Sequence, residues 1–275
     1  MASSFKLPTA AFQGFKNAAA YDTHRPSYPQ EAVDTLLSRL NLTSVAGGQS
    51  AKMVEIASGT GKFTELLVAK PGLEIIAVEP HEGMRAQLAA KNLEAVTVLD
   101  GHAGKLPVED GWADGYLAAQ SFHWFANEDA LKEAYRVLKP GAWLGVIWNI
   151  EDYNKPGSWK ATTEWEEKLN QWIWSIPSDG NPRFRDQKWK EAFNGQDLFS
   201  LPLGEQTIKW TVWLSDDALW SRINTLSQVA VLEGQERESA INVFKEALQS
   251  PDVERNERGE IALHGITYFA WTKKI

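Results

Sequence analysis

Two acidic residues and a glycine turn form the part of the sequence whose residue types and spacing point to chemistry. Glu55 lies inside an apolar run, and a second apolar run ends at Glu79. Gly59 and Gly61 follow the first run, so the backbone there can pass close to a ligand. A carboxylate at the end of the next strand can accept hydrogen bonds from ribose hydroxyls. Because Thr64 stands where a dinucleotide turn carries its third glycine, the pattern predicts a nucleoside site without a pyrophosphate.

This turn resembles the first motif of the class I S-adenosylmethionine-dependent methyltransferases, an acid followed by G-x-G-x-G. Ala57 stands in the place of the family's first glycine and adds one methyl group close to the cofactor. The opening residues 21–29, Tyr-Asp-Thr-His-Arg-Pro-Ser-Tyr-Pro, resemble a subgroup that includes yeast trans-aconitate methyltransferase and fungal secondary-metabolite methyltransferases. The family's later motifs are matched in order and spacing by residues 101–103, 106–107, 112–114, 120–125 and 136–141.

The resemblance implies an α/β, Rossmann-like fold with a mostly parallel seven-stranded sheet, helices on both faces and a helical lid or insertion. Residues 1–275 would form a single methyltransferase domain. Its expected parts are an N-terminal helical lid (1–50), a cofactor-binding core (51–150), a tryptophan-rich substrate lobe (151–204) and C-terminal strands and helices that complete the sheet (205–275).

Apolar periodicity along the chain agrees with this architecture. The alternation of strands and helices predicts parallel pairing with right-handed crossovers, and a cofactor site at the carboxyl ends of the strands. The expected strands are 52–57, 74–79, 95–99, 114–119, 142–149, 206–213 and 264–273, the last two forming an antiparallel pair. The expected helices are 29–40, 62–70, 82–91, 127–138, 216–229 and 236–249.

The resemblance also implies roles for single residues around the cofactor. Glu79 would bind ribose, and Tyr21 with Arg25 would clamp the methionyl carboxylate, for which a planar guanidinium group is suited. His102 takes the place of an aspartate that accepts from the adenine amino group, which a neutral imidazole does in one tautomer. The full expected set is Tyr21, Arg25, Glu55, Ala57, Gly59, Gly61, Glu79, Met84, His102, Ala103 and Gln120.

Two members of this set have open alternatives. Glu55 lies in an apolar strand, where an ionised carboxylate is costly unless it receives hydrogen bonds. It either contacts the cofactor's amino group or only supports the turn. Met84 either packs on adenine or belongs to the core.

The acceptor side is expected to follow the fourth strand and to include the tryptophan-rich lobe. His123 is a candidate general base because its ordinary pKa is near 6.5, and pocket shaping is the alternative. Methyl transfer from a sulfonium needs mainly in-line alignment. Trp165 and Trp172 share one helical face while Trp174 points elsewhere, so some tryptophans must be core. The expected substrate residues are Phe122, Trp124, Trp159, Trp172 and Trp174.

The favoured acceptor is a small fungal secondary metabolite, methylated on the sulfur of a thiol or dithiol or on a hydroxyl oxygen. Thirteen tryptophans favour a flat, apolar ligand. A carboxylate acceptor of the trans-aconitate type is the first alternative, and nearby cations at 183, 185, 188 and 190 keep it open. A protein that binds S-adenosylmethionine without transferring the methyl group is the second, because function lies in the acceptor site and not in the fold.

Composition limits the partners. Lys and Arg number 28 against 36 Asp and Glu, and the net charge of −8 disfavours nucleic acid. The absence of cysteine excludes disulfides and thiolate sites, and the five histidines lack a metal-binding spacing. No stretch approaches the roughly 18 apolar residues of a membrane span. A cytoplasmic enzyme with no metal, membrane or nucleic-acid partner is expected, and nothing indicates its oligomeric state.

Overall fold

The structure is a computed structural model that describes residues 27–43 and 50–275. The strands are β1 (Ala51–Ile56), β2 (Leu73–Val78), β3 (Val96–Leu99), β4 (Ala113–Ala119), β5 (Leu138–Glu151), β6 (Gly204–Leu214) and β7 (Ile261–Lys273). The helices are α1 (Gln30–Arg39), α2 (Lys62–Val68), α3 (Glu82–Ala90), α4 (Glu128–Val137), α5 (Glu164–Ser175), α6 (Asp216–Ile223), α7 (Ser227–Ala230) and α8 (Gly234–Ala247). Short 3₁₀ turns cover Phe122–Trp124, Asp152–Asn154, Phe184–Asp186 and Lys188–Phe193.

The strands form one seven-stranded sheet in the order β3-β2-β1-β4-β5-β7-β6. The first five are parallel, and β7 runs antiparallel to both β5 and β6. The predicted fold class is therefore confirmed. The carboxyl ends of β1, β2 and β4 meet at one edge, where residues close in space can bind a common ligand.

Strand β5 is longer than the predicted strand 142–149, and its extra length matters for the site. Ala119, at the end of β4, pairs with Ile147 of β5. Residues 148–151 therefore continue past the end of β4 while they stay paired with β7. The strand carries its polar end, Asn149 and Glu151, beyond the neighbouring strand.

Helix α1 packs on the sheet as part of the core. Leu36 and Leu37 are buried together with Ile147 and Phe269 of the sheet. Gly145 lacks the side chain that would meet Leu40, which lets the helix approach the strand closely. The residues from α1 to Leu42 therefore belong to the sheet's packing layer. The rest of the segment predicted as an N-terminal lid (1–50), residues 1–26 and 44–49, lies outside the described part of the chain, and the lid stays a prediction.

The C-terminal part packs a second layer of apolar side chains against the sheet's antiparallel end. Trp165, Leu169, Leu219 and Phe244 are buried in one cluster with Leu263 of β7. The predicted helix 216–229 is interrupted, because α6 ends at Ile223 and α7 begins at Ser227. Over the described ranges, no helix is both long enough and apolar enough to span a bilayer.

Candidate active site

The turn after β1 has the backbone conformation that its glycines permit. Gly59 and Gly61 have φ angles of +59° and +86°, in the left-handed region. A side chain at Gly61 would also overlap Leu88 of α3. Ala57 has a φ of +51°, so an L-residue is held in a conformation that glycine adopts at lower cost. The turn brings backbone to the cleft and holds strain at Ala57, as ligand-binding turns often do.

Glu79, directly after β2, fixes this turn to the neighbouring strand. Its Oε2 accepts from the backbone N–H of Gly59 at 2.8 Å, and its Oε1 accepts from that of His81 at 2.8 Å. Burial raises the pKa of the carboxyl, and the two N–H groups oppose that rise by stabilising the charged form. Each carboxylate oxygen can accept a second hydrogen bond. The Glu79 carboxylate therefore stabilises the turn and can still accept a hydrogen bond from a ribose hydroxyl.

Glu55 is completely buried inside β1. The hydroxyl of Thr64 donates to its Oε2 at 2.7 Å, while Oε1 has no hydrogen-bond partner among the described residues. Burial raises the pKa of Glu55 to about 8, opposed by the Thr64 hydrogen bond and reinforced by the charge of Glu79. Such an oxygen is suited to a cationic donor, because a positive group would hold the carboxylate in its charged form. An ammonium group is one such donor.

A cleft enclosing about 500 Å³ of empty space, part of it open to solvent, lies between the ends of β1 and β4. The sequence-based assignment placed Glu55, Ala57, Gly59 and Gln120 at the cofactor, and all four line this cleft. Six further residues line the cleft and were missed by that assignment. Ser58, Thr60, Lys62 and Phe63 lie in or beside the turn, Ala119 precedes Gln120, and Tyr28 lies just before α1.

A second cleft lies beyond the ends of β2 and β3, where the resemblance implies the adenine. His102 and Gly101 line it, whereas Ala103 and Met84 are 5% and 3% exposed and contribute little surface. The backbone N–H of Gly104 donates to Nδ1 of His102 at 3.3 Å. A neutral ring then carries its proton on Nε2 and donates there. Acceptance from an adenine amino group would need the other tautomer, so this contact opposes the expected role.

Gln120 ends β4 in a strained conformation that its side chain helps to hold. Its φ is +57°. Its amide Nε2 donates to the carbonyl of Asn149 at 3.1 Å, and its Oε1 accepts from the Asn149 N–H at 2.8 Å. This reciprocal pair mimics one more step of the β4–β5 ladder. It connects the first cleft directly to the extended end of β5.

His123 is held by a tryptophan on β5. The indole N–H of Trp148 donates to His123 Nδ1 at 3.1 Å, so the lone pair that a neutral base would use on that nitrogen is engaged. This favours the pocket-shaping alternative over a general base, and the catalytic role stays a prediction. Phe122 is only 1% exposed and packs against Trp189 and Phe193, which makes it part of the core beneath the site. Trp124 is half-buried.

The tryptophans of the predicted substrate lobe differ in burial. Trp165 is fully buried, which confirms that part of this set is core. Trp172 is half-buried against the same cluster, and Trp159 packs near Phe184. Trp174 is 40% exposed, with the Arg185 guanidinium 4.5 Å from its ring centroid. Tyr21 and Arg25 lie outside the described residues. Among the residues that are described, no group of three or more acids or histidines could hold a metal ion.

Comparison with known proteins agrees with the geometry. A family model described as a methyltransferase domain matches residues 54–146. An uncharacterised methyltransferase-like protein of Schizosaccharomyces pombe is 33% identical over 222 residues, 81% of this chain and 80% of that protein. An uncharacterised methyltransferase of Mycobacterium bovis is 29% identical over 248 residues, 90% of each chain.

Two solved structures show the same fold at low identity. The YcgJ protein from Bacillus subtilis has a TM-score of 0.53 at 17% identity, over 88% of this chain and 98% of that one. A phosphoethanolamine N-methyltransferase of Haemonchus contortus, solved with phosphomonomethylethanolamine and S-adenosylhomocysteine, has a TM-score of 0.52 at 14% identity. That match covers 98% of this chain and 61% of the nematode protein.

The sheet order, the glycine turn and the two buried glutamates define a Rossmann-like fold with a cleft suited to a nucleoside cofactor. The chain belongs to the class I S-adenosylmethionine-dependent methyltransferases. Three structural features of the cleft independently fit S-adenosylmethionine. Glu55 has an unpaired oxygen for the ammonium group, Glu79 has acceptor capacity for ribose, and a Cβ at Gly61 would disrupt the cradle.

Proposed function

We propose that the chain transfers a methyl group to an oxygen or sulfur atom of a small organic acceptor, bound at the sheet edge beside Gln120. The observation that carries the proposal is the continuity of this edge. The cofactor cleft ends at Gln120, and Gln120 is hydrogen bonded to Asn149, from which β5 runs on to Glu151. An acceptor lying along this extension would be next to the reactive end of the cofactor.

The residues of this chain would bind the cofactor by complementary charge. Glu55 would hold the ammonium group and Glu79 the ribose, while Lys62, at the first turn of α2, brings a cation to the same cleft for the carboxylate. By resemblance, Arg25 and Tyr21 would share that last task. His102 would donate to a ring nitrogen of adenine through Nε2. When bound, the cofactor supplies an electrophilic methyl group on a positively charged sulfur.

The aromatic residues next to the site support a small, partly apolar acceptor. Trp148, Phe184, Trp189 and Tyr268 form a connected cluster below β5, with Trp159 at its border. Those four rings are buried in the core, so they give rigid support beneath the site, and the half-buried Trp159 at their border offers the surface for a flat ligand. The narrower proposal of a fungal secondary metabolite rests on the opening motif 21–29 alone.

A tricarboxylate acceptor is less well supported, because three of the four cations expected for it are engaged elsewhere. Arg183 pairs with Asp179 at 2.8 Å, and Lys190 pairs with Glu205 at 2.7 Å. Arg185 lies on the ring of Trp174. These cations are therefore held by separate partners and do not converge on one ligand.

The proposal is tested by incubating the protein with S-adenosylmethionine and a panel of phenols, alcohols, thiols and carboxylic acids, and measuring the product mass. A gain of one methyl group on a small molecule is expected. If S-adenosylhomocysteine binds in calorimetry but no compound gains a methyl group, a small-molecule acceptor is contradicted and a binding protein is favoured.

A further inference from the structure

A buried ion pair with two unpaired atoms lies at the carboxyl end of β5. The Nε of Arg222, in α6, donates to Oε1 of Glu151 at 3.0 Å. The two side chains are only 4% and 2% exposed. Glu151 Oε2 and Arg222 Nη2 have no hydrogen-bond partner among the residues that the structure describes. One donor and one acceptor, both buried, are thus left over from the pair.

The unpaired Arg222 Nη2 lies on the same edge of the guanidinium group as the Nε that binds Glu151. Nε and Nη2 are the two nitrogens on one edge of the guanidinium plane, the edge that normally holds both oxygens of a carboxylate. Here one hydrogen bond is made and the other is not. Leaving a buried donor and a buried acceptor unpaired is costly, so an ion pair that served stability alone would be expected to close into the bidentate form. The open half of the fork points to a group that enters between the two atoms.

The pair is held from behind by aromatic packing. The guanidinium carbon of Arg222 lies 5.5 Å from the ring centroid of Trp210 on β6. That ring crosses β7 at Gly265, where any side chain would overlap both the indole and the carbonyl of Ile150. Gly265 is therefore required for the ring to support the guanidinium. The arrangement fixes the arginine without using its unpaired nitrogen.

The pair also lies on β5 just beyond Asn149, the residue that joins this strand to the cofactor cleft. Glu151 is two residues beyond Asn149, so both side chains project to the same side of β5 and their Cα atoms are about 7 Å apart. Asn149 is bound to Gln120, which lines the cofactor cleft. Gln228, in α7, adds a further buried amide donor, Nε2, without a described partner on the same C-terminal segment as Arg222.

We propose that Glu151 and Arg222 bind the hydroxyl group that is methylated, so that the acceptor is an alcohol or a phenol. A hydroxyl donates one hydrogen bond and accepts others. It can therefore donate to Glu151 Oε2 and accept from Arg222 Nη2 at the same time. A carboxylate has no proton to donate and would be repelled by Glu151, and a thiol is weak in both roles. The inference rests on the proposed small-molecule methyl transfer and assigns its acceptor atom.

The chemistry balances with these two residues. As the acceptor oxygen forms its bond to the methyl carbon, the carbon–sulfur bond breaks with its electrons kept by sulfur, and the hydroxyl proton passes to Glu151 Oε2. Glu151 then loses the proton to solvent. Arg222 remains protonated and stabilises the oxygen while its negative charge develops.

The first experiment compares functional groups on one skeleton. The intact protein is incubated with S-adenosylmethionine and matched sets on naphthalene, benzene and propane, each carrying a hydroxyl, thiol, carboxyl or amine at the same position. Methyl gain on the hydroxyl members is expected to exceed that on the others by at least about tenfold. Preferred methylation of thiols, acids or amines overturns this inference but keeps the proposed function. No methylation of any member, with S-adenosylhomocysteine still bound in calorimetry, contradicts both.

The second experiment asks whether the pair acts on the acceptor or only on the fold. Glu151→Gln should lower kcat/KM for the hydroxyl acceptor about a hundredfold, as expected for loss of a general base, and should leave the Kd of S-adenosylhomocysteine unchanged. Binding of that hydroxyl acceptor to the protein with S-adenosylhomocysteine should weaken about tenfold. Because a lone buried charge can prevent folding, the double variant Glu151→Gln/Arg222→Met removes both charges and should show the same losses in a folded protein.

The control is the exposed ion pair between Asp216 and Arg255, with nitrogen and oxygen 2.8 Å apart on the same C-terminal segment. Asp216→Asn should change neither kinetics nor acceptor binding. If the folded double variant methylates and binds the hydroxyl acceptor as the unmodified protein does, or loses no more than Asp216→Asn, the pair is structural and the inference is wrong.

Discussion

The two sides of the sheet's carboxyl edge are built in different ways. On the cofactor side, the polar groups of Glu55 and Glu79 are held by a turn and a strand end within 25 residues of sequence, largely through backbone N–H groups and one hydroxyl. On the acceptor side, Glu151 is held by Arg222, which is 71 residues away. The cofactor side is a local motif that many sequences can share, whereas the acceptor side depends on how the C-terminal helices pack. Specificity can therefore change on one side without disturbing the other.

The largest expected effect is a loss of folding stability on the acceptor side that leaves cofactor binding unchanged. Trp165→Ala should lower the free energy of unfolding by about 3–5 kcal/mol, because it removes a fully buried indole from the cluster that positions α5 and α6. Trp174→Ala is the control, since that ring is 40% exposed, and it should cost less than about 1 kcal/mol. Urea unfolding measures both. S-adenosylhomocysteine affinity at a temperature where each variant is folded should be unchanged, and a weakened affinity in Trp165→Ala would show that the sides are coupled.

A pH titration of stability compares one buried glutamate from each side. Burial raises the pKa of Glu55 to about 8 and that of Glu166 to about 7, from an ordinary value near 4.5. Glu166 also accepts from His264 and Thr163. Between pH 4.5 and these values the folded protein holds protons that the unfolded chain has lost, so the free energy of unfolding falls as pH rises. Each group contributes about 1.4 kcal/mol per pH unit as an upper estimate.

The two contributions end at different pH values, which makes them separable. From pH 7 to 8, Glu55 is the one of these two groups that should still lower the free energy of unfolding as pH rises. Glu55→Gln should therefore flatten the decline in the free energy of unfolding between pH 7 and 8. Glu166→Gln should leave the decline in that interval unchanged and should reduce the slope below pH 7. Urea midpoints from pH 5 to 9 give the profile. An undiminished decline above pH 7 in Glu55→Gln would contradict the assignment.

Glu79→Ala should weaken binding of S-adenosylhomocysteine about tenfold to a hundredfold, corresponding to roughly 1.5–3 kcal/mol for a charge-assisted acceptor. The structure adds a second cost, because the N–H groups of Gly59 and His81 would lose their partner. Glu74→Ala removes an exposed carboxylate of β2, the strand that precedes Glu79, and is the matched control that should change neither affinity nor stability. Calorimetry decides the point: equal dissociation constants for the two variants would mean that ribose binds elsewhere.

The difference between the two sides also explains what the sequence could predict. The turn, Glu55 and Glu79 were found because strand ends and glycines carry local signals, and the parallel pairing follows from the alternation of strands and helices. The Glu151–Arg222 pair was missed because no local pattern relates the end of β5 to α6. Helical spacing placed Trp165 and Trp174 on different faces, but it did not tell which face is buried. Burial is decided by tertiary packing.

The smallest expected effect concerns the strained alanine of the cofactor turn. Ala57→Gly should relieve the cost of a positive φ, about 1–2 kcal/mol, and lose about 0.5–1 kcal/mol to the entropy of the unfolded glycine. Ala95→Gly is the control, since Ala95 has a similar φ of +58° but is exposed and does not line the cofactor cleft. Both variants should gain up to about 1 kcal/mol in urea unfolding. Only Ala57→Gly should alter S-adenosylhomocysteine affinity, because only there does the lost methyl group line the cleft and the added flexibility lie in the binding turn. An equal change in affinity for both would show that the response comes from the fold as a whole, and the cofactor side would then be less local than its hydrogen bonds indicate.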